Sequence, residues 1–340
     1  MSDPSPPDPP APPSPAGPKR RRILPKVLVG VAVLLVAAIG LGVFYAVSIE
    51  RSVTKNINRQ STLPSAGSGA SARPAKDGAA PGALDFVLLG SDSRDLDDSG
   101  NGRSDSILVV HLNAKRDKAY IVSFPRDMWV TVPGYGKNKI NAAFAFGGPP
   151  LTVSTLEELT DVRMDHVVLI DFEGFIQLTE DLDGVTVTNK FAFSSHGFDY
   201  PKGEITIQGE EALWFVRERK ALPAGDFDRA DNQRNVIKAI VSKGLSGDTL
   251  ADPARFIAFI SSLSQHVTVD QDLTNGEIRS TALSLRLTGS DIELLQAPIS
   301  GTPTINGQSV DTVDEPKMAE LASALKKDTM ADYVQKYPEG

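Results

Sequence analysis

The stretch Asp85-Phe-Val-Leu-Leu-Gly-Ser-Asp-Ser-Arg94 joins a short apolar run to a polar loop that contains a glycine. An apolar run of this length, bounded by turn residues, is typical of a buried β-strand. Ser106-Ile-Leu-Val-Val-His111 and Ala119-Tyr-Ile-Val-Ser-Phe124 follow it closely, and His166–Ile170 and Val185–Thr188 have the same character. The chain from this stretch onward is therefore predicted to contain a central β-sheet.

Helical patterns lie between and after these strands, with apolar residues at three- and four-residue spacing. The predicted helices are Leu151–Leu159, Phe172–Leu182, Glu210–Val216, Asn232–Leu245, Pro253–Leu263, Gly276–Leu287 and Glu315–Leu325. Strands interleaved with helices indicate the α/β class, here a three-layer α/β/α domain with a central mixed sheet. Lys137–Ala143 and Gly147–Pro150 are rich in small residues and are predicted to form a loop.

A long apolar segment precedes this domain. Val27–Ile49 contains 23 residues without a charge. A helix of that length spans roughly 34 Å, enough to cross the hydrocarbon core of a bilayer. The basic cluster Lys19–Lys26 directly before it predicts a single-pass protein of the cell membrane with a cytoplasmic N-terminus. The alternative is a signal peptide cleaved after Ala46-Val-Ser48, although the apolar run is about twice the usual length. Both arrangements place the large domain outside the cell.

The composition changes along the chain define the predicted domains. Residues 1–26 are predicted to be a disordered cytoplasmic tail, 27–49 the transmembrane helix, and 50–82 a flexible extracellular stem and linker. Residues 83–330 form the predicted α/β domain, and 331–340 a C-terminal tail.

Charge and cysteine content exclude several classes of function. The chain has no cysteine, which rules out disulfides, thiolate nucleophiles and cysteine-based zinc sites. The net charge is −8, and residues 1–26 carry +3 of their own, which leaves −11 for the remainder. Nucleic-acid affinity depends on a basic face that neutralises phosphates, so we expect no nucleic-acid partner.

Arginine and aspartate residues recur where the predicted strands end. Gly90-Ser-Asp-Ser-Arg94 offers the Asp92 carboxylate as a hard oxygen ligand for Mg²⁺, with Arg94 in support. Arg103 and Asp105 are two residues apart before the next strand, so they share a face in an extended segment. Taken singly, each motif is equally explained by a polar turn or a surface ion pair.

The third strand ends in Pro125-Arg-Asp127, which exposes Arg126 at the end of the sheet. Lys139 is equally explained as a phosphate ligand or as a solvated side chain. Guanidinium groups beside carboxylates are what a metal-bound polyphosphate requires, so the pattern predicts phosphoryl chemistry.

Two more segments continue this pattern. Arg217 and Arg219 follow a short predicted helix, and a basic helix C-terminus would explain one of them better than both. Arg229 and Gln233 are four residues apart near a predicted helix N-terminus, a natural place for phosphate. No Walker loop, nucleophile elbow or dinucleotide fingerprint is present, and the four histidines lack metal-ligand spacing.

In this order the motifs resemble the LytR-CpsA-Psr (LCP) family over residues 83–330. The resemblance rests on Gly90-Ser-Asp-Ser-Arg94, Arg103-Ser-Asp105, Phe124-Pro-Arg-Asp127, Lys139-Ile-Asn-Ala-Ala-Phe-Ala-Phe-Gly-Gly-Pro149, Val216-Arg-Glu-Arg219 and Gly225-Asp-Phe-Asp-Arg229. The Pro-rich tail and the Ala-rich composition suggest an actinobacterial type.

The resemblance implies a membrane-anchored phosphotransferase for cell-wall glycopolymers. Such enzymes move a polymer, with one phosphate, from a polyprenyl pyrophosphate carrier to a peptidoglycan sugar hydroxyl. The resemblance also implies Mg²⁺ on the pyrophosphate and an apolar tunnel for the lipid. The partners would be the lipid-linked glycan, peptidoglycan and the lipid bilayer.

Together with the strand-end pattern, the resemblance predicts individual residue roles. The predicted catalytic residues are Asp92, Asp105, Arg126 and Arg219, and the first two are also the predicted metal ligands. The predicted substrate-binding residues are Arg94, Arg103, Asp127, Lys139, Arg217, Arg229 and Gln233. The proton acceptor stays open between Asp92 and Asp127.

One position departs from the family pattern. The family often has Arg-Gln-Gln where this chain has Asn232-Gln233-Arg234, so one expected charge is missing. Arg234 is a possible substitute, but one residue further along a helix points in another direction.

Two other functions remain open at this point. A pyrophosphatase would hydrolyse the same lipid-linked donor, with water in place of the sugar. A wall-associated regulator would not catalyse at all. Only about 26 residues face the cytoplasm in the predicted topology, which argues against contact with DNA.

Overall fold

The computed structural model describes residues 57–65, 73–76, 78, 80–91 and 104–338. In chain order, its strands are β1 (Asn58–Gln60), β2 (Leu84–Ser91), β3 (Ser104–Leu112), β4 (Ala119–Ser123), β5 (Met128–Val132), β6 (Gly136–Lys139), β7 (His166–Asp171), β8 (Val185–Asn189), β9 (Phe193–Ser195), β10 (Phe198–Tyr200), β11 (Gly203–Ile207), β12 (Thr268–Asp270), β13 (Ile292–Gln296), β14 (Ile299–Gly301), β15 (Thr304–Ile305), β16 (Gln308–Ser309) and β17 (Asp311–Val313). The helices are α1 (Ile140–Thr160), α2 (Phe172–Asp181), α3 (Gly209–Arg217), α4 (Asp226–Gly244), α5 (Gly247–Ala251), α6 (Pro253–His266), α7 (Asn275–Ser284), α8 (Glu315–Lys327) and α9 (Met330–Lys336).

Seven strands form the main sheet, in the order β1-β12-β7-β2-β3-β4-β13. β2 is parallel to β7, and β13 is parallel to β4, whereas β3 is antiparallel to both β2 and β4. The predicted mixed sheet is therefore confirmed. A second sheet has the order β14-β17-β5-β6, and its strand β5 is the next one after β4 along the chain.

Alternation along the central strands directs apolar side chains to both faces of the main sheet. Val87 and Leu89 belong to a core cluster that also contains buried residues of α1 and α8. Leu88 and Leu108 belong to another cluster, which contains Ile237 of α4. Helices thus cover both faces, as the predicted α/β/α layering requires.

The strand directions bring five strand ends to one edge of the main sheet. β2, β4, β7 and β13 finish there and β3 begins there, as the pairing register shows. We call this the polar edge, defined by Ser91, Ser104, Ser123, Asp171 and Gln296. The predicted strand-end motifs therefore lie along the same side of the sheet.

A buried histidine connects β2, β3 and the end of α8 at the opposite edge of the main sheet. His111 of β3 lies 2.8 Å from Asp85 of β2 through Nδ1, and 3.1 Å from Asp328, the C-cap of α8, through Nε2. Burial alone lowers the pKa of His111, but the hydrogen bonds to Asp328 and Asp85 outweigh it and raise the pKa to about 9. His111 is therefore a core residue.

Several predicted boundaries are wrong. The loop predicted at Lys137–Ala143 and Gly147–Pro150 consists of β6 and the helix α1 instead. α1 is kinked at Gly147 and Gly148, and the φ of 63° at Gly148 is a conformation that glycine adopts without strain. The helix predicted from Asn232 begins six residues earlier, at Asp226.

The predicted stem and tail also contribute to the folded domain. β1, from the predicted stem, pairs with β12 at the edge of the main sheet. Tyr333 of α9, in the predicted C-terminal tail, is buried in a core cluster. The domain therefore extends beyond both predicted limits, 83 and 330. None of the helices in the described ranges is long and apolar enough to cross a bilayer, and Val27–Ile49 lies outside those ranges.

Candidate active site at the polar edge

The first predicted motif reaches the polar edge and then leaves the described part of the chain. Ser91, the last residue of β2, pairs with Ser104, the first of β3. Asp105 is thus at the edge by its backbone, although its side chain is outside what the structure describes. The predicted residues Asp92, Arg94 and Arg103 lie outside the described residues, so their roles stay predictions.

Arg126 and Arg229 meet at one carboxylate. Asp226 Oδ1 is 3.4 Å from Arg126 Nε and 2.7 Å from Arg229 Nη2. Asp226 and Arg229 belong to the first turn of α4, which follows Gly225 at a φ of 58°. Arg229 is only 5% exposed. A helix N-terminus and two guanidinium groups combine here into an anion-binding arrangement.

Asp127 and Lys139 form the neighbouring ion pair. Lys139 Nζ donates to Asp127 Oδ1 at 2.7 Å, and Arg126 Nε lies 3.7 Å from Asp127 Oδ2. The second sheet positions this pair, because Asp127 directly precedes β5 and Lys139 ends β6, which are antiparallel neighbours. Lys139 is therefore paired rather than simply solvated. We call the connected residues Arg126, Asp127, Lys139, Asp226 and Arg229 the charged cluster.

Asp311 joins this cluster from a distant part of the sequence. Its backbone N–H donates to the Asp127 carbonyl at 2.9 Å, where β17 pairs with β5. Burial and the neighbouring charges of Asp127 and Asp226 raise the pKa of the Asp311 carboxyl to about 6. The charged cluster therefore contains a carboxyl that titrates close to neutral pH.

Replacing Asp311 with asparagine is expected to stabilise the protein at pH 7.5 but not at pH 4. The folded pKa lies above the unfolded value, so the ionised carboxyl destabilises the fold increasingly as the pH rises from about 4 to about 6. We expect Tm to rise by about 2–4 °C at pH 7.5, the change that about 1 kcal/mol produces in a domain of this size. Thermal unfolding at both pH values measures this, and an equal shift at the two would contradict it.

An apolar cavity of about 200 Å³ adjoins the polar edge. It lies between the strands β2, β3 and β7 and the helices α2, α3, α4 and α6. Its apolar lining includes Leu88, Leu108, Val168, Phe175, Val236, Ile240, Leu263 and Val267. Its polar lining includes Ser106 and Asp171 near the strand ends, together with Arg217 and Gln233. Gln233, at this end of the cavity, is about one turn of α4 after Arg229 of the charged cluster.

Arg217 and Gln233 are held at this end by specific contacts. The Arg217 guanidinium lies 4.3 Å from the ring centre of Phe172 and 4.9 Å from that of Trp214. Gln233 Nε2 donates to the carbonyl of Val216 at 3.2 Å. Both predicted residues thus line the apolar cavity and belong to its polar lining.

Arg219 is exposed and lies at the start of a turn that follows α3. The Glu218 carboxylate accepts hydrogen bonds from the backbone N–H groups of Arg219, Lys220 and Ala221, and from Ser195 Oγ at 2.5 Å. Burial alone raises the pKa of Glu218, but these hydrogen bonds outweigh it and lower the pKa. Glu218 therefore fixes the backbone between the two arginines that the sequence identified.

The LytR_cpsA_psr family model matches residues 45–327. The chain belongs to the LytR-CpsA-Psr family.

Named relatives and solved structures match most of this chain. The chain is 32% identical over 318 residues to the polyisoprenyl-teichoic acid–peptidoglycan teichoic acid transferase TagU of Bacillus licheniformis, which covers 91% of this chain and 96% of the relative. The crystal structure of TagV of B. subtilis matches with a TM-score of 0.64 and 26% identity, over 73% of this chain and 97% of that one. A structure of TagT bound to LIIa-WTA matches with a TM-score of 0.59 and 28% identity, over 79% of this chain and 99% of that one.

The departure of this chain from the LytR-CpsA-Psr pattern has a clear structural outcome. Asn232 is buried and donates to the carbonyl of Phe215 at 3.5 Å. Arg234 is also buried, bonds Ser123 Oγ and pairs with Asp231. Burial lowers the pKa of Arg234 to about 10. Gln233 lines the apolar cavity, whereas neither Asn232 nor Arg234 does, and the Arg234 guanidinium is held by Ser123 and Asp231 instead.

Sequence reasoning missed three contributors to this LytR-CpsA-Psr site. Asp226 was part of a quoted motif, but nothing in the sequence marked it as the carboxylate between two arginines. Asp311 stands 184 positions after Asp127 and has no motif around it. Glu218 lies between two selected arginines, where its role depends on a turn. Among the described residues, no group of three metal-ligating side chains occurs, so the predicted Mg²⁺ ligands remain Asp92 and Asp105.

Proposed function

We propose that this protein transfers a glycopolymer, with one phosphate, from a polyprenyl pyrophosphate carrier to a sugar hydroxyl of peptidoglycan. The observation that carries the proposal is the junction of two environments, an apolar cavity with Arg217 and Gln233 at one end and a cluster containing Arg126 and Arg229. A molecule with an apolar chain and a pyrophosphate headgroup matches both. The names of the relatives, which are teichoic acid transferases, support the same assignment.

The bound donor would lie with its polyprenyl chain in the apolar cavity and its pyrophosphate against the arginines. Arg217, whose guanidinium lies within 5 Å of the centres of two aromatic rings, would hold the phosphate next to the lipid. Arg126 and Arg229 would neutralise charge on the phosphorus nearer the glycan. Asp226 orients both guanidinium groups, since its carboxylate lies between them.

The reaction is then an in-line displacement at that phosphorus. The sugar hydroxyl forms the new P–O bond and the bond to polyprenyl phosphate breaks. Such a step depends on positioning and on stabilisation of the equatorial oxygens, which is what fixed guanidinium groups provide. Asp92 and Asp127 remain the candidates for accepting the proton of the hydroxyl.

We also propose that Mg²⁺ takes part in donor binding. Magnesium is usually held by one or two carboxylates together with phosphate oxygens, so a complete protein cage is not required. The backbone of Asp105 at the polar edge, next to the end of β2, is compatible with Asp92 and Asp105 as the ligands. When bound, the ion would neutralise charge on the pyrophosphate.

The proposed location follows from the sequence. Val27–Ile49 would anchor the chain in the cell membrane in a single pass, with residues 1–26 in the cytoplasm. The LytR-CpsA-Psr domain would then lie on the cell-wall side of the bilayer. Both the lipid-linked donor and peptidoglycan are accessible from that side.

The test uses a radiolabelled lipid-linked donor, incubated with the full chain in the presence and absence of peptidoglycan oligomers. We expect label to move to the oligomers, with release of polyprenyl phosphate. Release of the label as a free phosphorylated glycan, at the same rate with and without oligomers, would identify a pyrophosphatase. Unchanged donor in both incubations would favour a regulator that does not catalyse.

A further inference from the structure

A second and larger space lies on another side of α4. This C-terminal cleft, of about 930 Å³, is bounded by the N-terminal half of α4, the end of β13 with residues 297–299, and the helices α8 and α9. Its volume falls in the range of small-molecule sites. Apart from α4, whose other residues line the apolar cavity, its walls contain none of the elements that line that cavity.

α4 separates the cleft from the apolar cavity. Asp228, Asp231 and Asn235, at three- and four-residue spacing, line the cleft. Val236 and Ile240, with Gln233 at the same spacing, line the cavity. The two sets occupy different faces of one helix, whose diameter is roughly 10 Å. A ligand in the cleft and a lipid in the cavity would thus be one helix apart.

The cleft also adjoins the charged cluster. Phe227 lines it and directly follows Asp226, which lies between Arg126 and Arg229. Arg234 lines it as well, and its guanidinium bonds Ser123 at the polar edge. A group bound in the cleft would therefore lie close to the phosphorus that is attacked.

The lining of the cleft combines aromatic rings with hydrogen-bonding groups. The rings of Tyr333 and Tyr337 lie 5.0 Å apart, and both border the cleft. The side-chain amides of Asn235 and Gln296 have no hydrogen-bond partner among the residues that the structure describes. Arg234 is 95% buried, and within the same described part its Nε–H also lacks an acceptor.

This combination suits a saccharide. Sugar rings present C–H groups that pack on aromatic faces, and hydroxyl groups that exchange hydrogen bonds with amides and guanidinium groups. Asp231 is already paired, with Lys190 Nζ at 2.5 Å and with Arg234. Lys317 and Lys336 also line the cleft, and they pair with Asp314 and Glu320. Each of the four cations in the lining thus has a carboxylate partner, which favours hydroxyl groups over a polyanion.

We propose that the C-terminal cleft binds the acceptor glycan, an oligosaccharide of the peptidoglycan type; this inference rests on the proposed function. In an in-line displacement the attacking hydroxyl approaches opposite the leaving group. The leaving polyprenyl phosphate belongs to the cavity on one face of α4, so the acceptor approaches from another face. The cleft is the space on that other face.

The test compares the double variant Asn235→Ala with Gln296→Ala against the wild-type full chain and the control variant Gln335→Ala. Gln335 is an exposed amide on α9 that does not line the cleft. Two probes are titrated separately, a purified peptidoglycan tetrasaccharide and a lipid-linked disaccharide pyrophosphate. We expect the Kd of the tetrasaccharide to rise about tenfold in the double variant, the loss of two hydrogen bonds. The Kd of the lipid-linked probe and both values for the control should not change.

The possible outcomes separate this inference from the proposed function. An unchanged Kd for the tetrasaccharide in the double variant would overturn the inference, even if transfer by the wild type is normal. Weaker binding of the lipid-linked probe alone would also overturn it, because the cleft would then hold the glycan of the donor. Selective loss of tetrasaccharide binding would support the cleft, even if the wild type transfers nothing and the proposed function fails.

Discussion

Arg126→Ala is expected to lower the transfer rate by at least about 10³-fold, the scale of an arginine that stabilises a phosphoryl transition state. Arg126 Nε lies 3.4 Å from Asp226, which also pairs with Arg229. Removing its guanidinium leaves the developing charge with one fewer donor, whereas Asp226 keeps Arg229 as a partner. The measurement is the initial rate of label transfer from lipid-linked donor to peptidoglycan oligomers.

Two comparisons make this result specific. Arg126→Lys keeps the charge but loses the planar fork, so it should recover only part of the rate. Arg255→Ala removes an arginine of α6 that is largely exposed, and it should behave as wild type. Tm should stay within a few degrees in every case.

Arg219→Ala extends the same test to an exposed arginine. We expect the rate of transfer to fall, because Arg219 is a predicted catalytic residue. Tm should not change, because the side chain is exposed. Full activity in both Arg126→Ala and Arg219→Ala would exclude the arginines from the reaction.

Val267→Trp is expected to lower kcat/KM for a long polyprenyl donor by about 100-fold. Val267 is half-buried and lines the apolar cavity, so a larger ring there fills space that the lipid requires. Excluding roughly four methylene-sized groups from an apolar site costs about 3 kcal/mol, which corresponds to this factor. The measurement compares donors with a long polyprenyl chain and with a two-isoprene chain.

The two-isoprene donor and a control variant show whether the loss of activity in Val267→Trp comes from a blocked cavity. The two-isoprene donor should lose much less activity than the long one, because less of its chain enters the cavity. Ile257→Trp introduces the same ring on α6, the helix that ends just before Val267, in a different cluster around Phe256, and should not discriminate between the donors. Equal loss with both donors would show that the cavity does not hold the lipid.

Local sequence patterns predicted four of the seven strands of the main sheet, β2, β3, β4 and β7, but missed β1, β12 and β13. Asp85–Leu89 and His166–Ile170, for example, lie within β2 and β7. These strands are buried apolar runs with turn residues at both ends, so their identity depends on neighbours in the sequence. Val185–Thr188 was also predicted as a strand, but it lies in β8, which pairs with β11 in a separate two-stranded sheet. The loop predicted before Leu151 was wrong because β6 and the first part of α1 are stabilised by contacts with β5, which the local composition does not reveal.

The site was predicted to the extent that its residues stand in motifs. Arg126, Arg229 and Lys139 were selected from the sequence, and the structure brings them into one charged cluster. Asp311 could not be selected, because its place beside Asp127 results from the pairing of β17 with β5. The elevated pKa of Asp311 likewise follows from burial and from charges that are distant in the chain.

The sequence by itself determined the class of fold, the strand ends that carry arginine and aspartate, and the family, since all three are recorded in short segments and their order. Only the tertiary structure decided which side of α4 each residue faces. Gln233 lines an apolar cavity and Arg234, the next residue, lines the C-terminal cleft. The reason is physical: a helix turns by about 100° per residue, so neighbours in sequence face different surroundings, and those surroundings come from distant strands and helices.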